Sequence, residues 1–142
     1  MNHRGTETQR RQEKKEENMD ERDPLTAEVI GAAIEVHREL GPGLLESVYE
    51  VCLCRELALK GIAYQRQAPL HIVYKGERLD ADLRIDILLP GKLILELKAV
   101  EKILPVHEAQ LMTYLRLTGI HVGLLLNFNV PVLKNGIKRL VH

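Results

Sequence analysis

Two charges side by side on one face of an otherwise apolar strand constrain this chain more than any other feature. In Leu93-Ile94-Leu95-Glu96-Leu97-Lys98, alternation sends Leu93, Leu95 and Leu97 to one face and Ile94, Glu96 and Lys98 to the other. Just upstream, Arg84-Ile85-Asp86-Ile87-Leu88-Leu89 reads as a partner strand, joined through Pro90-Gly91-Lys92. A three-residue loop there pairs Leu89 with Leu93 and, counting back along the ladder, sets Asp86 opposite Glu96. One register thus gathers two carboxylates and an ammonium. Burying such charges is expensive unless they are paired or bind a metal, so a sequence selected for folding alone would seldom place them there. The alternative is a solvated strand face with a surface ion pair, but Leu88 and Ile94 share the face and dilute its polarity.

The chain has 142 residues, enough for a single domain with a sizeable core. Lys and Arg together number 20, as do Asp and Glu, so no bulk basicity advertises a polyanion, and any such partner must be held by a local patch or a metal. Residues 1–23 hold six Lys/Arg, seven Asp/Glu and no apolar side chain beyond two methionines. They cannot bury a face and are expected to form a disordered or frayed helical tail, leaving 24–142 as the domain. Cys52 and Cys54 lie two apart in a helical pattern, where side chains diverge by roughly 200° and cannot bridge, so they read as reduced thiols. With no apolar run long enough to span a bilayer and a charged N-terminus unlike a signal peptide, the expectation is a soluble, cytoplasmic protein and no membrane partner.

The pattern along the chain gives helix, helix, three antiparallel strands, helix, strand, strand. Asp23 as N-cap and Pro24 at the first position open a helix to Leu40, ended by Gly41-Pro42-Gly43. Val29, Ala33, Val36 and Leu40 line its apolar face, with His37 at the edge as a packed, neutral imidazole. A second helix runs from about Leu44 to Lys60, with Glu46 in its first turn, where exposed amides favour a carboxylate. Strands follow at Ala68–Tyr74 and Arg78–Leu89. Pro105 begins a helix through Thr118 that sets His107, Gln110, Tyr114 and Leu117 along one line. His121–Phe128 is apolar enough for a buried strand beside parallel neighbours, and Ile137–Val141 can add an edge strand.

Asp86 and Glu96 on adjacent strands, a glutamate from the preceding helix and Lys98 make a hard-metal site for Mg²⁺ or Mn²⁺. Such ions accept a few protein oxygens and keep several waters, and the Leu97 carbonyl is the natural third ligand. A site of this kind hydrolyses phosphodiesters by activating water and stabilising charge on phosphate oxygens.

Asp86, nine intervening residues and Glu96-Leu97-Lys98 in an αβββαβ order resemble the PD-(D/E)XK nuclease superfamily. Gly43-Leu44-Leu45-Glu46-Ser47-Val48-Tyr49 matches the GxxExxY pattern of a small family within it. The resemblance covers all but the tail and implies an α/β, restriction-endonuclease-like αβββαβ core with a mixed central sheet flanked by helices. It also implies that Asp86 and Glu96 bind metal, Lys98 is the catalytic lysine and Glu46 an additional acid. Gln110 and Tyr114 match the QxxxY motif of the lambda-exonuclease-like branch, which supports the site and contacts substrate. Ile85 stands where the superfamily's name has proline.

The function expected is a metal-dependent nuclease acting on nucleic acid, DNA first, with Lys102, Arg116, Lys134, Lys138 and Arg139 as backbone contacts and a homodimer to grip a duplex. The competing class is a silent nuclease-fold scaffold for nucleic-acid binding or regulation. Its mark is loss of an acid or the lysine, and this chain keeps Glu46, Asp86, Glu96 and Lys98. A zinc or redox protein on the cysteines is disfavoured by the lack of a second pair, and a P-loop by the lack of Gly-Lys-Ser/Thr after Gly43.

Overall fold

The computed structural model describes residues 23–142, so the expected N-terminal tail lies outside the described residues. The element order is α1 (Pro24–Leu40), α2 (Glu46–Leu59), β1 (Gln65–Tyr74), β2 (Glu77–Leu89), β3 (Leu93–Lys98), α3 (Pro105–Thr118), β4 (Val122–Asn127), a 3-10 turn (Leu133–Gly136) and β5 (Ile137–Val141). Chain contacts divide after Gly31 into an N-terminal unit and the unit Ala32–His142. In the first, Asp23 caps α1 by accepting the Thr26 backbone N–H at 3.3 Å and the Thr26 hydroxyl. All that follows concerns the second.

Five strands form one sheet in the order β1-β2-β3-β4-β5. β3 and β4 are parallel, with α3 as the crossover between them, and every other pairing is antiparallel. This is the mixed sheet flanked by helices that the sequence implied. The β1–β2 turn has Lys75 and Gly76 at φ 50° and 80°, the type I′ geometry whose twist matches a two-residue hairpin. The β2–β3 loop is the expected three-residue one, with Leu89 paired to Leu93 and the Lys92 N–H bonded to the Leu89 carbonyl at 2.9 Å.

Side-chain alternation then sets the layers. Ile94 and Leu125 face α3 and pack with Leu111, Tyr114 and Leu115 in one buried cluster. Leu93, Leu95 and Leu97, which point the opposite way, are also buried. Tyr49 of α2 stacks on Phe128 at 4.5 Å between ring centroids, and His37 of α1 bonds through Nε2 to the Val130 carbonyl at 2.8 Å. His37 is therefore a packed imidazole, as its place on the stripe implied.

One exposure and two boundaries stand out against the sequence reading. Leu40 is 36% exposed, because the helix ends there and Gly41 turns the chain away at φ 68°. Leu44 and Leu45 stay outside α2, which begins at Glu46, and β1 starts at Gln65, upstream of Pro69, since β2 continues far enough to pair with it. Among the described residues no helix is long and apolar enough to cross a membrane.

β4 hands over to β5 through a close approach. A Cβ built on Gly136 would lie 2.2 Å from the Asn127 backbone carbonyl oxygen, a contact that no side-chain motion relieves. Gly136→Ala is expected to lower stability in urea denaturation by about 1–3 kcal/mol. At Gly123 the corresponding clash is with the Leu111 side chain, which can shift, so Gly123→Ala should cost less.

Candidate active site

The site begins where a ladder stops. β2 and β3 pair over only Leu89/Leu93, Leu88/Ile94 and Ile87/Leu95, although both strands continue. At the next step, beyond the last paired residues, Asp86 meets Glu96, as the register required, and side chains bond the backbone. Asp86 Oδ2 accepts the Leu97 N–H at 2.9 Å and Glu96 Oε1 accepts the Asp86 N–H at 3.5 Å. Two carboxylates thus replace the missing ladder carbonyls and are forced against each other. Glu96 is only 3% exposed. Burial first, then the charge of Asp86 and a side-chain hydrogen bond with it, push the Glu96 carboxyl up to about 9, with Lys98 opposing the shift.

From Lys98, next on that face, a hydrogen-bonded chain leads into α3. Lys98 Nζ donates to Gln110 Oε1 at 3.4 Å, and Gln110 Nε2 donates to Tyr114 Oη at 3.1 Å. An ammonium can only donate, so it fixes the amide oxygen toward itself and the NH₂ toward the phenol. The four-residue spacing of Gln110 and Tyr114 on a helix makes this reach possible. The Tyr114 phenol is pushed up by burial and next by the charge of Glu96, against the Gln110 hydrogen bond. Behind Lys98, Asn127 clamps the chain after β3, accepting the Val100 N–H at 3.1 Å and donating to the Val100 carbonyl at 2.9 Å.

The segment from Gly41 to Tyr49 closes the other side. Gly43 takes φ 99°, which a side chain rarely adopts, and turns the chain into α2. Tyr49 Oη donates to the Gly41 carbonyl at 2.6 Å and accepts the Leu44 N–H at 3.1 Å, pinning that turn. Glu46 Oε1 accepts the Ala99 N–H at 3.2 Å, tying the start of α2 to the end of β3. Glycine, glutamate and tyrosine at this spacing thus each have a separate task. Between α2 and the fork lies a pocket of about 190 Å³ lined by Glu46, Ser47, Glu50, Gln67, Asp86 and Leu97.

All the candidate residues therefore meet at one end of the sheet: Glu46 and Asp86 on the pocket, Asp86 against Glu96, and Lys98, Gln110 and Tyr114 in a chain beside Glu96. Among the described residues no three carboxylate, imidazole or thiol groups converge as a ready metal cluster. Glu46 reaches the pocket but spends one oxygen on Ala99. Two residues escaped the sequence reading. Glu50, a buried carboxylate one turn after Glu46, was signalled by that spacing, whereas Gln67 carried no signal within its own strand. Of the basic set, Lys138 is ion-paired with Glu108, and Lys102, Arg116 and Lys134 are exposed on separate elements. Cys52 and Cys54 are free thiols, and burial, with Glu50 adding to it, pushes Cys54 up to about 11.

The family profile described as the PD-(D/E)XK nuclease superfamily matches residues 23–140, nearly the whole described chain. The chain belongs to the PD-(D/E)XK nuclease superfamily. Neither a curated protein nor a solved structure matches it. PD-(D/E)XK proteins are generally nucleases, that is hydrolases of nucleic acid, and typically use divalent metals. The donors here fit such an ion: they are hard oxygens, and two are carboxylates in contact, one held protonated by burial where a dication could replace the proton.

Two expectations follow for this PD-(D/E)XK protein. Without metal, Glu96 titrates near 9 folded against 4.5 unfolded, so the folded state holds the extra proton between those values. Its contribution to stability is full below pH 4.5 and is lost as pH rises toward 9. Melting in EDTA across that range should show this decline, and Glu96→Gln should flatten it. Tyr49→Phe leaves the Gly41 carbonyl and Leu44 N–H without their partner and should cost about 1–3 kcal/mol in urea denaturation.

Proposed function

We propose that the protein is a Mg²⁺- or Mn²⁺-dependent nuclease of the GxxExxY branch, hydrolysing phosphodiester bonds in DNA. The observation that carries this reading is the fork, where Asp86 and Glu96 touch at the end of the β2–β3 ladder with Lys98 next along β3. Asp86, Glu96 and the Leu97 carbonyl would hold the ion, with Glu46 adding a fourth oxygen across the pocket. When bound, the ion supplies an acidic water and neutralises charge on the phosphate.

The chain's own groups do the rest. Lys98 is fixed by a neutral amide rather than by a carboxylate, so its charge remains available to a phosphate oxygen as negative charge grows in the transition state. Gln110 sets the direction of that ammonium, and Tyr114 sets Gln110. The apolar packing beneath Glu96 keeps bulk water out and strengthens these charge interactions. A water oxygen bonds to phosphorus as the bond to the leaving sugar oxygen breaks, and that oxygen takes up a proton.

The basic residues outside the site are dispersed over several elements, which favours a second copy of the chain to hold a duplex. Two free thiols agree with a cytoplasmic setting.

Cleavage of end-labelled single- and double-stranded DNA and RNA, with Mg²⁺ or Mn²⁺ against EDTA, tests the reading. The parent should cut DNA only with metal. Lys98→Ala should lower kcat by about 10²–10³-fold, because it removes a transition-state contact, while leaving the melting temperature unchanged. A Lys98→Ala protein as active as the parent, or cutting undiminished by EDTA, would sink the assignment.

A further inference from the structure

Gln67 lies within β1 with φ 52°, a left-handed backbone that strains a non-glycine residue. Lys75 takes the same conformation in a tight hairpin turn and Asp82 where the β1–β2 register shifts, between the partners of Leu70 and Ile72; Gln67 has neither a turn nor a register shift to make. The β1–β2 ladder pairs Arg66 with Ile87 and Ala68 with Ile85, and skips the pair between. The skipped pair is Gln67 and Asp86. Since Asp86 also faces Glu96 across the fork, a polar row crosses three strands.

Within that row the Gln67 side chain joins two carboxylates. Its Nε2 donates to Glu50 Oε1 at 2.6 Å and to Asp86 Oδ1 at 3.5 Å. An NH₂ has two protons, one for each acceptor, and the amide oxygen could serve neither. Glu50 is 5% exposed and takes the Arg66 guanidinium on its second oxygen at 3.3 Å, so it makes a fixed anchor. Asp86 is then held on both oxygens, Oδ1 by Gln67 and Oδ2 by the Leu97 N–H. Folding alone would favour glycine at this backbone conformation. Here the strained residue is instead a glutamine whose amide reaches two acids.

We propose that Gln67, anchored on Glu50, is a positioning residue that fixes the orientation of the Asp86 carboxylate for divalent-cation binding. This rests on Asp86 being a metal ligand, as argued above. Residues that orient a ligand through hydrogen bonds commonly matter to affinity nearly as much as the ligand itself.

The test uses Mn²⁺ alone, titrated calorimetrically into the full chain, together with melting temperatures and cleavage kinetics. Gln67→Gly removes both the amide and the backbone strain. Gln67→Asn tolerates the left-handed backbone but is one methylene too short to span the two acids. In Gln67→Gly the relieved strain offsets the hydrogen bond lost to buried Glu50, so it should melt close to the parent temperature; both variants should bind Mn²⁺ about 10- to 100-fold more weakly and lose kcat with KM unchanged. Parental Mn²⁺ affinity and kcat in both variants, while Asp86→Asn loses Mn²⁺, would overturn the role of Gln67 and leave the site reading standing. Weakened binding with an equally lowered melting temperature in Gln67→Gly would also overturn it, since a purely structural residue gives that result. An Asp86→Asn protein that binds Mn²⁺ like the parent removes the site reading, and this proposal with it.

Discussion

Asp86 accepts the Leu97 amide proton at 2.9 Å where the β2–β3 ladder runs out. Had the backbones gone on pairing, that proton would belong to a carbonyl and the carboxylate would have no reason to enter the sheet. Because pairing stops, a side chain must satisfy the amide, and an acid does so at the cost of crowding Glu96. Burial and then the neighbouring Asp86 raise the proton affinity of Glu96, and the proposed metal site rests on the same pair of acids. The rest of the fold serves to hold the two strands in that relation. The α3 crossover covers one side, and α2, tied by Glu46 to Ala99, closes the other.

The placement of the charged pair was legible because hairpin register is discrete. With Leu89 and Leu93 fixed by a three-residue loop, Asp86 could only face Glu96, as a one-residue slip would have sent every leucine of β3 to the wrong side. The ends of α1 and α3 were legible for similar reasons, with Pro24 and Pro105 able to start a helix and Gly41 and Gly119 able to take the left-handed turn that stops one. The αβββαβ order followed once those stops were placed, and the superfamily profile agrees with it over residues 23–140.

Tertiary reach was not legible. Nothing in Gln65-Arg66-Gln67-Ala68 distinguishes Gln67 from any polar strand residue; its contacts arise from a skipped ladder pair and from Glu50 on a different element. The early start of β1 was missed because Gln65-Arg66-Gln67 has no apolar alternation; Pro69 fits within β1 because the missing N–H of proline costs little on an edge strand. Like Gln67, Lys138 has its contact on a different element: its ion pair with Glu108 joins β5 to α3.

The amide at Leu97 has one more consequence. A ladder hydrogen bond opens only when two strands part, but this one opens whenever the Asp86 side chain rotates away. Its exchange with solvent deuterium is therefore decoupled from unfolding of the sheet around it, and the rate at that one position is a clock for the carboxylate's own motion, readable without substrate and without a label.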